Sequence, residues 1–306
     1  MDSGFFQIIN RRKFVQGIIA CSGLIPVIGK SAALNSKQES HAKSAVTVQE
    51  IIDLFLSEIP GAPYKQTVDT IKCGRPDQQV SGIVTTMLPT VDVIRKTANL
   101  KANFIIAHEP SFYNHNDETN WLEKDPVYNY KADLLNKNQI AIWRCHDYIH
   151  SHVPDGVLIG VLIALGWDKY YDKNNPHSFV VPEMKLKDIV DLSKKKLGIS
   201  KMKIIGEPDQ LCKKIAISPG AAGGRSQMQT IMKEKPDVFI CGELNEWETS
   251  EYIRDMKLSG GKTSLLVLGH AVSEEPGMQW MKSWLEAKLP NMKVTHIPSG
   301  DPFTWV

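Results

Sequence analysis

Short apolar runs that alternate with helix-like segments, several of them stopping at a histidine, constrain this chain more than any other feature. Residues 80–86, 103–107, 139–145, 203–205, 215–218, 237–241 and 264–268 read as strands. Runs of this kind, apolar throughout and bounded by polar residues, fit strands covered on both faces rather than one. Between them, residues 90–100, 127–136, 155–165 and 182–197 carry helical spacing; in the first, Val91, Val93, Ile94 and Ala98 fall on the inward side. Thr47 and Glu50 have capping-box spacing ahead of Ile51, Ile52, Leu54 and Phe55, so an amphipathic helix opens the folded region. Such alternation implies an α/β fold with a largely parallel sheet or two related sheets. In open α/β sheets ligands bind at the carboxyl edge of the strands, which directs attention to the residues where the runs stop.

The run at 103–107 stops at His108-Glu109-Pro110, and the proline cannot continue a ladder. The run at 139–145 leads into His146-Asp147-Tyr148-Ile149-His150-Ser151-His152, and the run at 264–268 into Gly269-His270-Ala271-Val272-Ser273-Glu274. An isolated strand-end histidine is usually bonded to a backbone carbonyl. Here five of the nine histidines lie in these three strand-end segments, which favours a shared site. Imidazole and carboxylate oxygen suit Zn, Fe or Mn, and no C-x-x-C pair offers thiolate. Ser273 reads as a helix N-cap that places Glu274 in the first turn, where the helix dipole favours a carboxylate with or without metal. Gly156 and Gly160 permit close helix packing. The loop Pro219-Gly220-Ala221-Ala222-Gly223-Gly224 matches neither dinucleotide nor P-loop spacing and reads as a tight turn.

Lys plus Arg number 36 against 34 for Asp plus Glu, which gives no charge-based case for a nucleic-acid or membrane partner. Lys194, Lys195 and Lys196 read as a solvated helix face. At the N-terminus, Asn10-Arg11-Arg12-Lys13-Phe14-Val15-Gln16 resembles a twin-arginine export signature; the apolar segment after it is too short for a membrane span. The expected layout is a signal peptide over 1–33, a polar linker over 34–46, and the folded region from 47 to 306. A lipid anchor at Cys21 is the lesser alternative. The expected location is periplasmic or otherwise exported.

The strand ending His-x-Pro, the later Gly-His-x-x-Ser-Glu, the Gly242-Glu243 step and the C-terminal Asp301-Pro302-Phe303 together resemble the NIF-three-like dinuclear metal-centre proteins, the GTP cyclohydrolase I type II homologues. The resemblance runs from about residue 47 onward. It implies two similar α/β sub-domains, here roughly 47–175 and 176–306 with no inserted domain, facing a central metal cleft. It also implies five ligands holding two divalent metal ions, and a homo-oligomer, commonly a hexamer. Carried over by position, the ligands are His108, Glu109, His150, His270 and Glu274. Glu109 stands where the family has a second histidine and His150 where it has an aspartate, so ligand number and charge are preserved. The expected arrangement has Glu274 bridging, with His108 and His150 on one side and Glu109 and His270 on the other. Glu274, His146 and Glu243 are the expected catalytic residues, and Asp147 and His152 the expected supporting ones. The leading expectation is an exported metal-dependent hydrolase of a small molecule, the alternative a non-catalytic metal-binding or scaffold protein. Activity on GTP itself ranks low, because an exported enzyme would meet little of it.

Overall fold

The structure, a computed structural model, describes residues 46–304. The export signature, the cleavage site, Cys21 and nearly all of the 34–46 linker lie outside the described residues. The fold opens as its sequence dictates. Thr47 caps α1 (Val48–Leu56) in a reciprocal box, its hydroxyl accepting from the Glu50 amide at 3.2 Å while Glu50 Oε2 accepts from the Thr47 amide at 2.7 Å.

Two five-stranded sheets follow, with helices over their faces. The first contains β1 (Ile71–Cys73), β2 (Ile83–Thr86), β3 (Phe104–Ala107), β4 (Ala141–Arg144) and β10 (Val294–His296), in the order β1-β4-β3-β2-β10. All pairings are parallel except that of the edge strand β1. Side chains alternate between two buried faces. Ile83, Phe104, Ile106 and Trp143 pack with α1 and with Met278, Met281 and Leu285 of α9 (His270–Lys288). Val84, Ile105 and Ile142 pack with Val93 and Ile94 of α2 (Val91–Asn99) and Leu135 of α3 (Pro126–Lys137). A sheet covered on both sides needs apolar residues at every position, which is why these runs do not alternate in polarity.

The second sheet contains β5 (Ser178–Lys185), β6 (Lys203–Ile205), β7 (Leu211–Ser218), β8 (Val238–Cys241) and β9 (Ser264–Val267), in the order β5-β7-β8-β9-β6. Its central pairings are parallel and both edges antiparallel. One face packs on α5 (Gly156–Leu165) and α6 (Leu186–Leu197), the other on α7 (Gly224–Glu234) and α8 (Glu251–Leu258). Helix α5 joins the halves by crossing α9 closely. A Cβ on Gly160 would lie 2.6 Å from the Gly277 Cα, and one on Gly277 would lie 2.7 Å from the Val157 Cα, so only hydrogens fit at this crossing.

Two expectations are corrected here. Residues 182–185 are not the start of a helix but the end of β5, whose register shifts between Val180 and Met184. Pro182 sits in that irregularity on an edge strand, where its missing N–H costs nothing. The halves are also not strictly consecutive in the chain, since β10 returns to pair with β2 of the first sheet. Among the described residues, no helix is long and apolar enough to cross a membrane.

Candidate metal centre

The carboxyl ends of β3, β4 and β9 deliver their histidines to one place. After β3 the backbone stays tied to β2, with the His108 amide on the Thr86 carbonyl and the Glu109 amide on the Met87 carbonyl. The His108 ring is oriented by Nδ1 against the Cys145 carbonyl at 3.2 Å, which aims Nε2 at Glu274. After β4, a buried carboxylate organises the turn into α4 (Asp147–Ser151). Asp69 accepts the His146 and Tyr148 amides, each at 2.7 Å. Burial raises the Asp69 pKa against those same hydrogen bonds.

Helix α4 carries His150, whose Nδ1 lies 3.0 Å from Asp155 Oδ2. Asp155 Oδ1 accepts the Val157 and Leu158 amides at the start of α5, so a single carboxylate caps one helix and orients a ring on another. The third delivery differs from expectation. Helix α9 begins at His270 after Gly269, and Ser273 is not its N-cap. The Ser273 hydroxyl donates to the His270 carbonyl at 2.7 Å and accepts the Gly220 amide at 2.9 Å. His270 and Glu274 therefore stand one turn apart on the same helix face.

The result is a compact cluster centred on the buried Glu274. Its Oε2 lies 3.0 Å from His270 Nε2 and 3.3 Å from His108 Nε2, and its Oε1 lies 3.9 Å from His150 Nε2. Glu109 turns toward His270, with Oε1 3.2 Å from Nε2. The other Glu109 oxygen, Oε2, lies 3.3 Å from Nη2 of the fully buried Arg144. His146 stacks on His108 with ring centroids 4.8 Å apart, and its Nδ1 lies 2.9 Å from Asp147 Oδ1. Two groups of donor atoms stand within 4.8 Å of one another and can hold a metal ion: His108, His146 and His150, and His108, Glu109 and Glu274.

Of the expected residues, His108, Glu109, His150, His270 and Glu274 meet at this centre, and His146 joins them more intimately than a supporting role requires. Glu243 lies at its rim, half-exposed, with Oε2 3.1 Å from His270 Nδ1. Asp147 holds His146. His152 does not belong: its ring stacks on Phe55 and packs against Trp280 in the core, 3.7 Å from Glu58. Asp69, Arg144, Asp155 and Gly220 are not among the expected site residues. Asp155 had a signal, since an acidic residue directly before a helix is an N-cap; the others had none, because their roles arise across long sequence separations.

Two observations fit a metal ion to these residues. His108 Nε2 and Glu274 Oε2 are both buried, and neither has a hydrogen-bond partner although they face each other. Two ligand atoms each about 2.1 Å from one ion stand roughly 3.0–3.4 Å apart at common coordination angles. The His108–Glu274, His270–Glu274 and His270–Glu109 separations of 3.3, 3.0 and 3.2 Å fall in that range. Without metal, the cluster holds protons instead. Burial disfavours charge on His270, but the negative charge of Glu109 and Glu274, whose oxygens lie 3.2 and 3.0 Å from Nε2, overcomes it and pushes its pKa to about 10. Burial likewise opposes ionised Glu274, yet His108 and His270 hold its carboxyl far below the usual range. Burial and the neighbouring His108 lower the His146 pKa; for His150, burial is outweighed by Asp155 and the value rises.

The cluster forms part of the wall of a cavity of about 950 Å³. Glu109, His146, His150, His270 and Glu274 line it together with Leu88, Val91, Val157 and Leu158.

Residues 46–302 match the family model described as Duf34/NIF3 (NGG1p interacting factor 3). The chain belongs to the Duf34/NIF3 family. A curated relative, the GTP cyclohydrolase 1 type 2 homolog of Clostridium perfringens, is 24% identical over 274 residues, covering 85% of this chain and 99% of that one. Among solved structures, Staphylococcus aureus protein SA1388 superposes with a TM-score of 0.68 at 19% identity, covering 86% of this chain and 100% of that one. The Bacillus cereus protein related to NIF3 gives 0.68 at 17% identity, with 86% and 99% covered. Reduced HcgD from Methanocaldococcus jannaschii gives 0.58 at 18% identity, with 82% and 97% covered. At these identities the structural likeness speaks to fold alone.

Proposed function

We propose that this Duf34/NIF3 protein is a metal-dependent hydrolase of a small organic substrate, holding two divalent transition-metal ions, Zn, Fe or Mn, through His108, Glu109, His150, His270 and Glu274. The observation that carries the reading is the buried, unpartnered facing of His108 Nε2 and Glu274 Oε2 on the wall of a large cavity. When bound, such ions supply Lewis-acid polarisation and acidify water near neutral pH, which suits hydrolysis of phosphoester, amide or ring C–N bonds. The protein's own contribution is orientation and proton handling. Cys145 carbonyl, Asp155 and Glu243 fix the rings of His108, His150 and His270 from behind. His146, held by Asp147 and with its pKa lowered by burial, is neutral at pH 7 and placed to take up a proton at Nε2.

Export by the twin-arginine pathway, with residues 1–33 as signal, and assembly as a homo-oligomeric ring belong to the same proposal. The first rests on the Arg11-Arg12 signature and the second on the family resemblance. Cell fractionation and sedimentation velocity test them.

Metal analysis of reconstituted protein tests the site; about two equivalents are expected. Less than about one equivalent, or undiminished binding in a His108→Ala, His270→Ala variant, refutes it. Turnover on a panel of phosphoesters, nucleotides and cyclic amides, lost on chelation and restored by metal, tests the chemistry. Stoichiometric metal with no turnover across the panel would instead favour a metal-binding or scaffold role.

A further inference from the structure

Helix α3 has two buried positions, Lys131 and Leu135, and the first is given to a charged residue. Lys131 is 4% exposed and lines the same cavity as the histidine–carboxylate cluster. An ammonium has three N–H donors. Lys131 Nζ spends one on the Ser111 carbonyl at 2.5 Å, and among the described residues no carboxylate stands within salt-bridge distance of it. The rings of Phe112 and Tyr113 sit 5.6 and 5.2 Å from Nζ, a partial substitute for an anion. Burial pulls the pKa down to about 8, with Asp117 partly restoring it.

The carboxylates lining this cavity are differently placed. Glu109 faces Arg144 and His270, Glu274 faces His108 and His270, and Asp155 faces His150, each at 3.3 Å or less. Lys131 is the buried cation that lacks such a counterpart. Its surroundings are also fixed in place. Tyr113 adopts a φ of +69°, a left-handed conformation that a bulky side chain rarely takes. The loop around it is braced by the Phe112 amide on Asp117 Oδ1 at 2.8 Å and the Glu118 amide on Asn114 Oδ1 at 2.9 Å. Strain maintained beside a cavity is characteristic of ligand sites. Leu88, Pro89, Val91, Val157 and Leu158 supply an apolar wall to the same space.

We propose that Lys131 is the specificity-determining residue of this cavity, selecting substrates whose apolar or aromatic body carries an anionic group. The assignment of these ligands as substrates rests on the hydrolase reading above; the recognition itself does not. Carboxylate and phosphonyl groups share the required chemistry, and the probes separate them.

Binding of phenylphosphonate, benzoate and benzamide to the metal-loaded protein is measured by calorimetry for wild type, Lys131→Met and Lys131→Arg. Wild type is expected to prefer at least one anion over benzamide by about tenfold or more. Lys131→Met should weaken that anion by a similar factor, and Lys131→Arg by no more than about threefold. Benzamide affinity and metal content should stay constant. Equal losses for benzamide and the anions, or none, overturn the proposal and leave Lys131 as a brace for the 111–118 loop. If Lys131→Met does not fold, Lys131→Gln replaces it, and a wild type that binds benzamide as tightly as both anions refutes the idea alone. A Lys131-dependent anion preference in a protein that hydrolyses nothing would sink the hydrolase reading while sustaining this one. Turnover indifferent to substrate charge in both wild type and Lys131→Met would do the reverse.

Discussion

Replacing Gly220 with alanine should disable the candidate metal centre from outside its proposed ligand set. Gly220 has a φ of +66°, and a Cβ built on it would lie 2.0 Å from Glu274 Oε1. An ordinary contact is about 3.4 Å, so roughly 1.4 Å must be recovered by moving the carboxylate or the loop. Glu274 is only 3% exposed and has no room to swing into water. The movement would pull it from His270 Nε2 at 3.0 Å and His108 Nε2 at 3.3 Å. Gly166→Ala provides the control: its φ is +75° and nothing lies within 4 Å of the added carbon. The left-handed backbone costs each alanine about 1–2 kcal/mol, offset by about 0.4–1 kcal/mol through the less flexible unfolded chain. Only Gly220→Ala also disrupts a buried charge pair, worth roughly 3–5 kcal/mol when one partner is displaced. Urea unfolding of chelator-treated protein should therefore separate the two variants by about 3 kcal/mol. Competition with a chromophoric chelator should show metal affinity down by roughly 100-fold or more in Gly220→Ala alone. If Gly220→Ala unfolds with Gly166→Ala and binds metal like wild type, the packing of this loop against Glu274 is not what holds the carboxylate in place.

Asp155→Asn keeps a good helix cap but weakens the carboxylate that orients His150 at 3.0 Å. Metal affinity should drop about 10- to 100-fold with little change in unfolding free energy; unchanged affinity in the chelator assay would contradict the assignment. The metal-free protein should also show a pH signature. The His270 pKa is raised from 6.5 to about 10, so its contribution to stability is complete below about pH 6.5 and fades as pH rises toward 10. The Glu109 and Glu274 values are lowered, so theirs is complete above about pH 4.5 and fades in acid. Urea midpoints in chelator should consequently decline from pH 7 to 10, and added metal should flatten the decline by taking the place of the His270 proton. A midpoint that rises with pH in the metal-free protein would show that His270 is not held in this way.

The sequence by itself determined the parts of this protein that depend on local pattern. Unbroken apolar runs mark strands buried on both faces, Thr47 and Glu50 mark the start of α1, and three of those runs name their own terminal histidines. A parallel sheet brings its strand ends to one edge whatever the loops contain, so the nearness of His108 to the 146–150 segment followed from the endings of β3 and β4, whereas β9 belongs to the second sheet and His270 reaches them only through the packing of the two sheets. Edge elements other than β6 were less legible. Strands β1 and β10 are three residues each, too short to show a period, and β5 contains a proline that only an irregular edge tolerates. Tertiary structure alone decided which groups fix the ligands and which space they face. Asp69 reaches His146 across 77 residues, Gly220 reaches Ser273 across 53, and Arg144 meets Glu109 across 35. It also decided that His152, two residues after His150, turns into the core while His150 turns to the histidine–carboxylate cluster. A side chain's partners at such separations are set by how the sheets and helices pack, and no local spacing encodes them.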